Sequence, residues 1–356
     1  MRNVKRTHRE EAGASVATRA DKATFVPCDL KGKIALVAGA TRGTGRGIAL
    51  ALGEAGATVY CTGRSTRTKP HRKPTKKTSP FDLSRRPETV EETAEMVTAR
   101  GGKGIAVVVD HLEPQQVEEL IARIRKEQKA LHTLVNDIWG GDQYTEFGKT
   151  IWQVDLEKGF AMFRSAVHTH VITSHFALPL MMETAKEKST GLVVEITDGD
   201  SYTYRGNLFY DLVKTTVIRL AFAQARELRR KNVVAVALTP GFLRSEAMLD
   251  NFGVTEANWR EAGKKVQHFL ESETPLFAGR AVAALAADPN ILKKSGRVFS
   301  SWTLSDEYGF CDADGRRPHF GRYFVEKYGD HMKSCGDAFY EHWFGGPIDT
   351  LYADWP

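Results

Sequence analysis

Short apolar runs alternate with longer stretches in which apolar residues recur at helical period. The runs are rich in valine and isoleucine and show no polar alternation, so they predict buried strands of a parallel sheet. The predicted strands are 34–38, 57–61, 105–109, 131–135, 192–196, 233–238 and 295–299. The stretches between them predict helices that cover both faces of the sheet. We therefore expect a doubly wound α/β fold of about seven strands in the order 3-2-1-4-5-6-7.

The turn after the first strand contains Gly39, Gly43 and Gly45, and a helical pattern resumes at Ile48. Glycines let the backbone approach a ligand without an intervening Cβ. The helix behind them presents free N–H groups and the positive end of its dipole. This strand–turn–helix sequence predicts a Rossmann-like phosphate site for a dinucleotide, with a plain connecting turn as the alternative.

Arginine side chains near this turn favour NADP. Arg64 follows the second strand, where an acidic residue would select NAD and an arginine would bind the 2′-phosphate of NADP. Arg42 in the glycine turn is a second candidate. Residues 66–86 are basic and interrupted by prolines, which predicts a long exposed loop. The loop would attract NADP or an anionic substrate, or be a solvated insertion. A nucleic-acid patch is disfavoured because interleaved aromatic residues are missing.

Tyr210 and Lys214 are the strongest candidates for chemistry. They lie four residues apart near the start of a predicted helix, so they share one helix face. A free phenol has a pKa of about 10, and a neighbouring ammonium favours the phenolate. The pair is therefore expected to pass a proton to or from a carbinol oxygen.

The glycine turn and the Tyr210-x-x-x-Lys214 pair together resemble the short-chain dehydrogenase/reductase family over about residues 30–310. The turn is similar to that family's T-G-x-x-x-G-x-G loop, with Ala38 in the place of the threonine. The resemblance implies an NADP-dependent oxidoreductase that interconverts a carbonyl and an alcohol by hydride transfer. A non-catalytic NADP-binding sensor or scaffold with the same fold is the alternative.

The resemblance also implies roles for individual residues. Asp110 would contact the adenine, Asn136 would brace the cofactor, and Ser245 in the loop after the sixth strand would hold the nicotinamide carboxamide. The cofactor set is Gly39, Thr41, Arg42, Gly43, Gly45, Arg64, Asp110, Asn136, Tyr210, Lys214, Pro240, Gly241 and Ser245.

The family places a serine about 13 positions before its tyrosine, where it polarises the substrate oxygen. Counting back from Tyr210 (210 − 13) gives Thr197, which we expect to take this role and which completes the catalytic set with Tyr210 and Lys214. Asp198 and Ser201 are the other candidates, although an ionised Asp198 could not donate a hydrogen bond. The family's helix asparagine is missing near Ala166.

Composition indicates a cytoplasmic protein with a sizeable core. The chain has 356 residues, 42% of them hydrophobic, and a net charge of +6. Its four cysteines are scattered without metal spacing, as in a reduced compartment, and no metal site is expected. No apolar run is long enough to predict a membrane span.

The chain is expected to divide into three parts. Residues 1–29 predict a flexible extension, and 30–310 predict the catalytic domain with a substrate lid over 242–272. Residues 311–356 form an extension rich in aromatic side chains, which would bury itself on its own domain or on a second subunit. We expect a homodimer or homotetramer, a small-molecule substrate and no membrane partner.

Overall fold

The computed structural model describes residues 28–68, 86–186, 189–201 and 203–330. Three predicted features therefore lie wholly or mostly outside the described residues. They are the N-terminal extension, the basic loop over 66–86 and the part of the aromatic extension beyond residue 330.

Seven parallel strands form one sheet in the order β3-β2-β1-β4-β5-β6-β7, which confirms the predicted fold. The strands are β1 (Ile34–Ala38), β2 (Thr58–Gly63), β3 (Lys103–Val108), β4 (Thr133–Asn136), β5 (Gly191–Ile196), β6 (Val233–Thr239) and β7 (Val298–Ser300). The last residue of β1, Ala38, pairs with Thr62 on one side and with Asn136 on the other. The winding direction reverses between these two neighbours, so a crevice opens at the carboxyl ends of the strands.

Helices cover both faces of the sheet. They are α1 (Gly43–Glu54), α2 (Val90–Ala99), α3 (Pro114–Gln128), α4 (Leu156–Phe163), α5 (Thr169–Ala185), α6 (Leu208–Leu228), α7 (Glu246–Phe252), α8 (Pro275–Ala287), α9 (Ser301–Tyr308) and α10 (Phe320–Tyr328). One core cluster packs α1 and α8 on one face, and a second packs α3 and α5 on the other. Buried apolar residues on both faces explain why the strands lack polar alternation.

A side-chain cap fixes the start of α2, and a π-helical turn joins α4 to α5. α2 begins at Val90, because the Thr89 side chain accepts the Glu92 N–H and caps the helix. The π-helical turn between α4 and α5 covers Arg164–His168.

The segment after β6 and the chain beyond residue 310 pack together. Arg244 is fully buried, lies 3.3 Å from Asp314 and stacks on Trp259. The first aromatic residue of α10, Phe320, contacts Phe242 at a ring separation of 6.2 Å. The described part of the aromatic extension is thus docked on its own chain. Within the described ranges, no helix has the length and apolar character needed to cross a membrane.

Candidate active site

A cavity of about 1050 Å³ occupies the crevice at the carboxyl ends of the strands. Its walls are the loops that follow β1 to β6, and α10 adds Phe320 and Phe324. Most of the residues predicted to bind cofactor or to act in catalysis lie in these walls; Gly45 and Asn136 lie behind them.

The glycine turn lies tightly against the loop after β4. Gly39 has φ +95°, and a Cβ there would lie 2.6 Å from the Asp137 carbonyl oxygen. A Cβ on Gly45 would overlap the Gly39 carbonyl oxygen. No larger residue fits either position, so the amino end of α1 is left open to the cavity. This cradle fits the pyrophosphate of a dinucleotide.

A carboxylate reaches the amino end of α1. The Gly43 N–H donates to Glu246 Oε2 at 3.0 Å, and Glu246 also lies 3.7 Å from Arg46. Glu246 comes from α7, far away in the sequence, and was not among the predicted site residues. The contact shows that this backbone N–H can donate to an anionic group.

Acidic residues accompany both arginines expected to select NADP. Arg42 Nε donates to Glu88 Oε2 at 3.2 Å, and its Nη2 donates to Ser65 Oγ at 3.2 Å. Arg86 also pairs with Glu88. Arg64 is half-exposed and lies 3.6 Å from Asp110. The sequence around Arg42 and Arg64 contains no acidic residue. The tertiary structure brings Glu88 and Asp110 to them from later segments of the chain.

Tyr210 and Lys214 lie on the first turns of α6 and face the cavity. The Asn207 side chain caps this helix by accepting the Tyr210 N–H at 2.9 Å. Lys214 Nζ lies 4.0 Å from the Trp139 ring centroid and 5.7 Å from the Tyr210 centroid. The Trp139 and Tyr210 rings meet edge to face at 5.3 Å. Trp139 therefore places the ammonium beside the phenol.

The residues in the expected serine region divide between two roles. Thr197 is buried, and its hydroxyl donates to the Lys214 carbonyl oxygen at 2.7 Å. The neighbouring side chain meets the phenol instead, because the Tyr210 hydroxyl donates to Asp198 Oδ2 at 2.6 Å. Thr197 thus ties β5 to α6, whereas Asp198 contacts the candidate proton donor. Ser201 also lines the cavity.

The electrostatics of this group differ from the sequence-based expectation. Burial, followed by the charge and hydrogen bond of Asp198, raises the pKa of Tyr210 well above the ordinary value for a phenol. This direction is opposite to the lowering expected from Lys214, because burial and the Asp198 carboxylate both favour the neutral phenol. Burial lowers the pKa of Lys214 against the attraction of Asp198 and Asp137. Burial also raises the pKa of Asp137 to about 7.

Asn136 lies beneath the cavity in a buried polar network. Its Nδ2 donates to Glu195 Oε1 at 2.9 Å, and Gln224 donates to the same oxygen at 2.9 Å. His170 Nδ1 lies 2.7 Å from the other oxygen of Glu195. A glutamate inside an otherwise apolar strand was the available sequence signal for this network. The predicted role of Asn136 toward the cofactor stays a prediction.

The loop after β6 packs against the buried carboxyl group of Glu273. The Ser301 hydroxyl donates to Glu273 Oε2 at 2.7 Å, and the same oxygen lies against Gly241, where it would be 2.7 Å from a Cβ. Burial raises the pKa of Glu273 to about 8. Ser245 Oγ accepts the Met248 N–H at 3.4 Å and begins α7, while Pro240 and Gly241 line the cavity. Among the described residues no cluster of side chains could hold a metal ion.

The sequence is similar to known proteins that share this arrangement. The family model described as short chain dehydrogenase matches residues 75–253, half of the chain. The chain is 33% identical over 291 residues to dehydrogenase/reductase SDR family member 1 of Mus musculus, covering 81% of this chain and 85% of the relative. The Homo sapiens protein of the same name is 32% identical over 291 residues, with the same coverage. The chain belongs to the short-chain dehydrogenase family.

Solved structures of the short-chain dehydrogenase family show the same fold. A short chain dehydrogenase of Mycobacterium thermoresistibile matches with a TM-score of 0.63 at 20% identity, covering 82% of this chain and 93% of that one. A Serratia marcescens short-chain dehydrogenase/reductase variant matches with a TM-score of 0.58 at 21% identity, covering 76% and 96%. Membership of the family supports a dehydrogenase/reductase activity for this chain, and the family generally uses NAD or NADP.

Proposed function

We propose that this chain is an NADP-dependent oxidoreductase that interconverts a carbonyl and an alcohol, with Tyr210 transferring the proton. One observation carries the proposal: the Tyr210 hydroxyl and the Lys214 ammonium face the same cavity into which the glycine turn opens. The bound cofactor would supply the hydride. Tyr210 would exchange its proton with the substrate oxygen, and Lys214 would hold the nicotinamide ribose and stabilise the phenolate that forms.

The cofactor would lie along the predicted residues. The cradle of Gly39, Gly43 and Gly45 accepts its pyrophosphate, and Arg42 and Arg64 accept the 2′-phosphate of NADP. Asp110 would contact the adenine, and Pro240, Gly241 and Ser245 would hold the nicotinamide. Arg86 adds a third positive charge beside Arg42, since both arginines converge on Glu88. A 2′-phosphate would replace that carboxylate as the partner of the two guanidinium groups.

A non-catalytic NADP-binding protein is the second candidate, and a specific observation favours it. The Tyr210 hydroxyl is bonded to Asp198, and the Thr197 hydroxyl is bonded to the backbone of Lys214. Neither hydroxyl can donate to a substrate carbonyl oxygen until its present hydrogen bond is broken. Such a protein would bind NADPH in the same cradle and reduce no carbonyl.

We further propose a homodimer or homotetramer located in the cytoplasm. The oligomer is suggested by an exposed apolar surface on and before α4, where the residues Trp152, Leu156 and Phe160 are 80%, 56% and 59% exposed. A patch of this kind is commonly covered by another protein surface. Light scattering of the purified chain would measure the mass directly.

Replacement of Tyr210 by phenylalanine tests the catalytic assignment. Tyr210→Phe keeps the ring contact with Trp139 but removes the hydroxyl. We expect NADPH affinity to persist and reduction of ketones and quinones to fall by about a hundredfold or more. Lys214→Met should lower both turnover and NADPH affinity, because the lysine serves both roles.

Tyr308→Phe is the matched control. It removes a hydroxyl that donates to a carboxylate of Asp288, also at 2.6 Å, outside the cavity wall. The control should retain normal turnover. Tight NADPH binding without reduction of any carbonyl by the unmodified chain would instead support the non-catalytic candidate.

A further inference from the structure

The carboxylate of Asp198 stands where a short-chain dehydrogenase is expected to offer a hydroxyl. Asp198 Oδ2 lies 2.6 Å from the Tyr210 hydroxyl oxygen, and both side chains line the cavity. Arg205 fixes this position, because its guanidinium donates to the backbone carbonyl of Asp198 and to that of Gly199. The contact is therefore built into the loop between β5 and α6.

Charged groups surround the phenol on several elements. Asp198 approaches from the loop after β5, and Asp142 from the turn after β4. Arg205 approaches from the segment before α6, and Lys214 lies on the same helix as the phenol. Of these groups, only Asp198 bonds directly to the hydroxyl within the described residues. A carboxylate at this distance stabilises the neutral phenol that donates to it and opposes formation of a phenolate.

We propose that Asp198 keeps Tyr210 protonated and thereby makes the site one that reduces carbonyls and oxidises alcohols poorly. This inference rests on the proposed function of the same site. In the reducing direction the carbonyl carbon receives a hydride from the reduced nicotinamide dinucleotide, which is oxidised. The Tyr210 O–H bond breaks, its proton passes to the carbonyl oxygen, and the phenolate regains a proton from solvent.

Alcohol oxidation requires the opposite starting state. The alcohol must give its proton to a Tyr210 phenolate, and the phenolate would face the Asp198 carboxylate across 2.6 Å. Like charges at that distance disfavour each other strongly in a site partly screened from water. Oxidation should therefore begin only at strongly alkaline pH. Reduction proceeds at neutral pH, where the Tyr210 hydroxyl keeps its proton. The elevated pKa of the phenol agrees with this direction.

The test compares the unmodified chain with Asp198→Asn and Asp198→Ser. Asp198→Asn removes the charge but keeps the shape of the side chain, and Asp198→Ser restores a hydroxyl donor. The Tyr210 ionisation is followed by NMR of chains labelled with ¹³C at the tyrosine ring carbon that bears the hydroxyl. Tyr210→Phe identifies the signal. In both Asp198 variants we expect the midpoint of the phenol ionisation to fall by about one pH unit or more.

Kinetics supply the second measurement. Reduction of 2-acetonaphthone with NADPH and oxidation of 1-(2-naphthyl)ethanol with NADP are followed from pH 6 to 10. In the variants, the ratio of oxidation to reduction at pH 8 should rise by about tenfold or more. Asp288→Asn is the matched control. It removes a carboxylate that accepts a different tyrosine hydroxyl, that of Tyr308, also at 2.6 Å and outside the cavity wall, so it should leave the profile close to that of the unmodified chain.

The outcomes separate the inference about Asp198 from the proposed oxidoreductase function. An unchanged Tyr210 midpoint in both Asp198 variants, or an equal shift of that midpoint in Asp288→Asn, would overturn the inference whatever the activity. If the Asp198 variants reduce the ketone but oxidise the alcohol with the same pH profile as the unmodified chain, the inference is also overturned. The proposed function would then remain intact. A shifted midpoint in a chain that transfers no hydride to any carbonyl would overturn the proposed function and the assignment of direction with it.

Discussion

Glu246 provides the sharpest test of how the cofactor cradle is controlled. Its carboxylate accepts the Gly43 N–H at 3.0 Å and faces Arg46 at 3.7 Å, so it occupies the position proposed for a cofactor phosphate. The Glu246 side chain is 29% exposed, whereas that of Arg46 is 9% exposed. A dinucleotide must displace the carboxylate before its phosphate can reach the same N–H. Glu246→Gln removes the charge and keeps the length of the side chain.

The expected magnitude follows from the two contacts. A carboxylate at the amino end of a helix stabilises it by roughly 0.3–1 kcal/mol. A partly exposed ion pair contributes about 0.2–1 kcal/mol more. Binding forfeits both contributions, a total on the order of 1 kcal/mol, which corresponds to about a fivefold change in an equilibrium constant. We therefore expect Glu246→Gln to bind NADPH about three- to tenfold more tightly, because the amide competes less strongly with the phosphate.

The assay is a fluorescence titration of NADPH into the free protein at low and high salt. The difference between the unmodified chain and Glu246→Gln should shrink at about 1 M salt, where the Debye length is about 3 Å. Glu261→Gln is the control, since Glu261 is exposed on the short helical turn beyond α7. Unchanged affinity in Glu246→Gln would refute the competition. Weaker binding would show that Glu246 holds the segment after β6 over the bound cofactor.

Two further predictions concern cofactor choice and stability. Arg64→Asp should weaken NADPH binding much more than NADH binding, because a carboxylate repels the 2′-phosphate; equal affinity of the unmodified chain for both cofactors in parallel titrations would contradict the NADP assignment. Glu273 has a pKa raised to about 8 in the folded chain, so between its ordinary value and pH 8 the folded state holds a proton that the unfolded state has lost. The free energy of unfolding should therefore fall as pH rises from 5 to 8, and Glu273→Gln should show a shallower fall in urea melts, an expectation that parallel slopes would disprove.

The sequence by itself was enough to predict the sheet and the placement of Tyr210 and Lys214 on one helix. Strands buried on both faces leave a strong apolar signal, and alternating strands and helices permit few topologies, so the order around β1 followed from general rules. The glycine turn could also be predicted from the sequence, because only glycine fits at Gly39 and Gly45, where any Cβ would overlap backbone atoms. Tyr210 and Lys214 were found because their spacing along one helix is local.

Interactions between distant segments were decided only by the tertiary structure. Glu88 beside Arg42 and Glu246 at Gly43 come from segments 46 and 203 residues away along the chain. The choice between Thr197 and Asp198 was equally hidden, because neighbouring residues at the end of a strand point in different directions and the loop after β5 decides which one meets Tyr210. Periodicity reports which residues are buried, whereas the charge that a side chain meets depends on where loops converge, and here that convergence places the Asp198 carboxylate on the Tyr210 hydroxyl.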